Sequence, residues 1–122
     1  MKARYDRALA DYAKAVSLAP DNAFAITRIA ALHAACPDDK VRDGTQAVYF
    51  AKKACDLLQW RDLGALETLA AAYAEAADFA SAMKWQTEAI ALPQIDAEQR
   101  RGAEARLQLY RESKPYRESP RK

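Results

Sequence analysis

The sequence predicts an all-α domain of stacked antiparallel helical hairpins, and three observations carry that expectation. The chain has 122 residues, 51% apolar and 30% charged, with only three glycines and five prolines and an abundance of helix-favouring alanine. Apolar residues recur at intervals of three and four, which places them on one helix face. One helical phrase also returns along the chain, the mark of a repeated structural unit. This length fits one domain with a modest core.

The recurring phrase first reads Ala8, Tyr12, Ala15, Leu18 and Pro20. It returns as Ala47, Ala51, Ala54 and Leu57, and again as Ala82, Gln86, Ala89, Leu92 and Pro93. A second phrase precedes the later copies: Ile26, Ile29, Ala30 and His33, then Leu66, Leu69, Ala70 and Tyr73. Two helix types therefore alternate. Alanines between larger side chains let neighbouring helices approach closely and bury a face that neither could bury alone.

Taken in order, helices are predicted near residues 3–18, 22–35, 43–58, 62–76, 79–91 and 96–112. Pro37 stops the second, and a longer loop of residues 34–44 follows. Asp43 with Gln46, and Asp96 with Gln99, have the spacing of capping boxes for the third and sixth. The sixth carries Ala103, Leu107 and Tyr110 on one side and charges on the other, as expected of a helix that closes an array. The domain is thus expected over 1–112, with a partial repeat at 4–20, repeats at 23–59 and 63–93 and a capping helix at 96–112. Residues 113–122, proline-interrupted and net basic, read as an extended tail.

These phrases resemble the tetratricopeptide repeat over about residues 4–93. The best copy runs from Leu63 to Leu92, with Leu66, Leu69, Ala70, Tyr73, Asp78, Phe79, Ala82 and Ala89 on pattern and Ala77 in place of the usual turn glycine. The resemblance implies a right-handed α-α superhelix. Its groove would be lined by the first helix of each repeat, here Phe24, Thr27, Arg28, Ala31 and Ala34, then Gly64, Glu67, Thr68, Ala71 and Glu75. A well-known subgroup clamps the C-terminal carboxylate of chaperone tails with several basic residues and asparagines, but only Arg28 stands at such a position, so that specificity does not carry over.

The implied function is a non-catalytic protein-interaction module, a segment of a larger protein that holds a partner's peptide or helix in this groove. The array begins in mid-repeat, so either an upstream helix or a second chain is expected over the apolar face of residues 4–18. The alternative function is therefore homo-oligomerisation, as a homodimer through that unpaired helix. Nineteen basic against 17 acidic residues are interspersed, a balance that points away from nucleic acid. No stretch has the roughly 20 apolar residues of a membrane span, and the chain reads as soluble.

Neither cofactor nor metal is expected. Cys36, Cys55 and the single His33 are too few for a zinc site, and the two cysteines fall too far apart in a helical hairpin to bond. His33 stands where the repeat has an inward tyrosine, with no evident catalytic group beside it, and is expected to pack. Asp38 and Asp39 lack the glycine and distal glutamate of a calcium loop. Trp60, Trp85, Tyr49, Phe50 and Phe79 are read as core aromatics rather than base-stacking ones.

Overall fold

The computed structural model describes residues 2–119, with side chains from residue 4 onward. Met1 and residues 120–122 of the expected tail lie outside the described residues. Six helices follow one another: α1 (Lys2–Leu18), α2 (Ala23–Ala35), α3 (Gly44–Leu57), α4 (Leu63–Glu75), α5 (Phe79–Ile90) and α6 (Ala97–Arg111). There is no strand among the described residues, and no helix there is long and apolar enough to cross a membrane. Each helix packs on its chain neighbour, and α2 also packs on α4.

Side-chain caps set where the helices start. Asn22, Asp43, Asp62, Asp78 and Asp96 each accept a backbone N–H three residues on, satisfying a donor that the helix leaves unpaired. Only Asp96 forms the full reciprocal box, with the Gln99 side chain accepting from the Asp96 N–H at 3.0 Å. At Asp43 only the aspartate half is made, to the Gln46 N–H at 3.1 Å. The bonds from the Ser81 backbone and hydroxyl hold the Asp78 carboxyl below its usual range.

Three helices end in a Schellman motif built without glycine. Gln59, Ala77 and Ser113 all take left-handed backbone angles, with φ of 58°, 64° and 56°. The next residue in each case bonds back to the helix: Trp60 N–H to the Cys55 carbonyl, Asp78 to Tyr73 and Lys114 to Leu109, each at 2.9 Å. A side chain in this conformation costs about 1–2 kcal/mol that glycine avoids. Ala77→Gly is therefore expected to stabilise the domain by up to about 1 kcal/mol, read as a raised urea midpoint at unchanged m-value. A lowered midpoint would contradict it.

The core is made mostly of alanine. Ala30, Ala34, Ala47, Ala51, Ala65 and Ala72 are buried with Leu66, Leu69 and Cys55 where α2, α3 and α4 meet. Trp60 and Trp85 close its edge, their rings 5.0 Å apart. A second cluster joins Ala70 and Ala74 of α4 to Ala82 of α5 and Tyr110 of α6. Helix α1 packs one face, Tyr5, Ala8, Leu9 and Tyr12, on Leu32, Cys36 and Val41. None of its described residues is fully buried, and Leu18 is 77% exposed.

Both thiols are free and buried. Burial raises the Cys36 thiol and pushes Cys55 up to about 12. Neither is expected to react with an alkylating reagent at pH 8 until urea unfolds the chain, and mass spectrometry after a timed pulse reads this directly. Cys55 also sets a pH window. Its folded value lies above the unfolded 9.0, so its contribution to stability is present below pH 9 and lost as pH rises toward 12.

His33 packs as expected. Its ring Nδ1 lies 2.9 Å from the Val41 carbonyl, which requires that nitrogen to donate, and its face stacks on Phe50 at 6.3 Å. It ties the long α2–α3 loop to the helix it left, with the Asp43 N–H donating to the His33 carbonyl beside it. The turn out of α2 has a local cause. Cys36 is extended (ψ 138°), because the residue before a proline avoids helical angles.

Candidate functional site

Between α2 and α4 runs a groove whose walls are small side chains. It holds a cavity of about 200 Å³ lined by Thr27, Arg28, Ala31 and Ala35 of α2 and Gly64, Glu67, Thr68 and Ala71 of α4. Arg106 of α6 and two residues of the C-terminal segment, Tyr116 and Glu118, complete the lining. Alanine, glycine and threonine leave room there, while helical backbone keeps its polar groups paired and the walls rigid.

Of the residues expected in the groove, Thr27, Arg28, Ala31, Gly64, Glu67, Thr68 and Ala71 line this cavity. Phe24 stands one turn away, 69% exposed, edge-on to Tyr12 of α1 with ring centres 6.3 Å apart. It borders an adjoining depression that shares Thr27, Arg28 and Gly64 with the groove. Glu75 lies at the C-terminal end of α4, beyond the cavity. Ala34 departs from the expectation: it is fully buried in the core cluster with Ala47 and Ala51 of α3. The step of four from Ala31 leads to Ala35 and stays on the groove, whereas the step of three turns inward.

The charges of the groove are paired. Glu67 accepts from the Gln86 side chain at 3.0 Å and faces Arg106 at 3.9 Å. Gln86, itself fully buried, also donates to the Ala103 carbonyl at 3.0 Å, so α4, α5 and α6 are joined beneath the groove by one side chain. Burial next to this network raises the Tyr110 hydroxyl well above its usual range. Glu75 is held between Arg42 of the α2–α3 loop, at 3.5 Å, and Arg117, at 2.8 Å. Arg28 faces Glu118 at 3.6 Å.

Residues 114–119 form neither helix nor strand, and they are docked on the protein. The left-handed Ser113 reverses the chain, and the Glu118 N–H then donates to the Ala35 carbonyl at the end of α2 at 2.8 Å. That carbonyl belongs to the last turn of α2, where helical partners run out. Tyr116 is half-buried under the Arg106 guanidinium, which stands 3.8 Å from its ring centre.

Sequence reasoning did not place Ala35, Arg42, Arg106, Tyr116, Arg117 or Glu118 at the groove. For Arg106 a signal existed. It lies three residues after Ala103 and four before Tyr110, so it shares the inward edge of α6. Ala35 lies one helical step of four after Ala31, whereas Arg42, Tyr116, Arg117 and Glu118 depend on the chain turn at Ser113 and on the path of the α2–α3 loop, which no spacing encodes. No family model, curated protein or solved structure gave a significant match to this chain.

Proposed function

We propose that the chain is a tetratricopeptide-like, non-catalytic protein-interaction module that holds a partner's peptide or helix in the groove between α2 and α4. In this reading α2 with α3 and α4 with α5 are two hairpins of a right-handed superhelix. Helix α1 is the second half of a preceding repeat, and α6 is the closing helix. The observation that carries the proposal is the groove itself: a cavity of about 200 Å³ along two adjacent helices, walled by small residues and flanked by both signs of charge. Such a surface admits a peptide backbone.

The test is selection of a displayed peptide library against the chain, followed by binding to a Thr68→Trp variant that fills the groove. Selected peptides should lose at least about tenfold in affinity, which corresponds to 1.4 kcal/mol, while circular dichroism and Tm stay near wild type. Binders indifferent to Thr68→Trp, or no groove-dependent binder either to this chain or to a variant whose C-terminal segment no longer docks, would refute the proposal.

One observation favours self-association as a second reading. Helix α1 buries one face only, and Leu18 and Phe24 stand 77% and 69% exposed near its C-terminal end. Light scattering over a hundredfold concentration range decides it. A dimer lost on Leu18→Glu with Phe24→Glu supports assembly through residues 4–18, and a constant monomer mass refutes it.

A further inference from the structure

We infer that the groove reads an extended segment with an aromatic, a basic and an acidic residue in immediate succession, and that Tyr116, Arg117 and Glu118 are its resident occupant in cis. This inference rests on the groove being a peptide site. The docked segment then serves as a ligand already in place, and what it touches defines the chemistry of an external one.

Four contacts make the register. Tyr116 and Glu118 line the cavity and Arg117 does not, so residues 116 and 118 face one way and 117 another. Tyr116 lies under the Arg106 guanidinium of α6, at 3.8 Å. Arg117 reaches the Glu75 carboxylate of α4 at 2.8 Å, and Glu118 faces Arg28 of α2 at 3.6 Å. The fourth contact, Glu118 N–H to Ala35 carbonyl, involves only backbone and fixes where the segment sits along the groove. Each charge on the segment thus meets its opposite, and reversing the order of residues 117 and 118 would bring like charges together.

The occupant is built to be displaceable. Its two ion pairs are a fifth to a third exposed, and exposed pairs contribute little individually. No described residue of the segment is fully buried. What keeps it in place is covalent attachment to α6, which presents it to the groove at an effective concentration of about millimolar. Beside Glu118 lies a further cavity of about 350 Å³, lined by Glu118 and Ser119 of the segment, by Tyr5, Ala8 and Tyr12 of α1 and by Arg28 and Leu32 of α2. An external segment with an apolar residue in place of Ser119 gains contacts with Tyr5, Ala8 and Tyr12 there and so outcompetes the tethered one.

The experiment uses the full chain. A fluorescent peptide of residues 113–119, Ser-Lys-Pro-Tyr-Arg-Glu-Ser, is titrated into wild type and into a Tyr116→Ala, Arg117→Ala double variant, with anisotropy as readout. Both substituted residues lie on the docked segment and outside the helices, so the helical fold should survive, and circular dichroism verifies it. The double variant is expected to bind the peptide at least about tenfold more tightly than wild type. Adding Glu75→Arg should abolish that binding, and a peptide with glutamate in place of the arginine should restore it.

Equal affinity for wild type and variant would overturn the cis occupancy. A dimer of the wild-type chain that the double variant dissolves would overturn it also, by placing the segment in a second copy's groove. If library selection on the double variant yields binders that Thr68→Trp abolishes but that lack the aromatic, basic, acidic order, this inference falls while the proposed function stands. If neither chain selects a groove-dependent binder, both fall.

Discussion

Replacing Gly44 with alanine is expected to destabilise the domain by about 1–3 kcal/mol, the range for overpacking, although the change favours helix formation by up to about 1 kcal/mol in isolation. Gly44 opens α3, and a Cβ there would stand 2.9 Å from both the backbone nitrogen and the Cα of Ala76 at the end of α4. Backbone cannot rotate aside as a flexible side chain would, so α3 and the α4–α5 turn would have to separate. For a chain of this size the loss is a fall in Tm of roughly 4 °C per kcal/mol, read by calorimetry. Gly102, whose added Cβ would meet nothing within 4 Å, is the control. Gly102→Ala in the middle of α6 should raise stability by up to about 1 kcal/mol. Equal effects at the two glycines would refute the close approach of α3 to Ala76.

The second large effect is expected at Ala34. Ala34→Leu should cost about 1–3 kcal/mol, because three added carbons have no space in a site that is 0% exposed among Ala30, Ala47 and Ala51. Thr68→Leu, on the groove wall, should stay within about 0.5 kcal/mol, since its side chain borders the cavity. Urea denaturation of the two variants measures both. A tolerated leucine at residue 34 would mean that this position faces the groove after all, as the repeat pattern implied.

That pair also marks how far the helical pattern could be read. The six helices of the described residues fall within one residue of the expected spans, and Asp43 and Asp96 cap α3 and α6 where their spacing to Gln46 and Gln99 placed them. Such features depend on residues three or four apart, and so are local. The separated cysteines were legible for the same reason, because helix rise places them, whereas the packing of His33 was expected from the repeat resemblance. Ala34 and Ala35 are adjacent alanines, and composition cannot say which one turns toward α3. That depends on the angle at which α2 crosses its neighbours.

Helical content and element boundaries follow from spacing and composition, because intrahelical geometry is dictated by near neighbours, while the groove residues were expected only from the resemblance to a repeat family. Only the tertiary structure decided that the segment after α6 lies in the groove. Its hold consists of one backbone bond from Glu118 to Ala35, 83 positions away in the chain, ion pairs from Arg117 to Glu75 and Glu118 to Arg28, and an aromatic ring under Arg106. Each joins residues remote in sequence and carries no periodic signature. The left-handed Ser113 that reverses the chain is a serine where glycine would have announced the turn. The groove could be anticipated from the sequence, but its occupant became visible only once α2, α4 and α6 were packed around it.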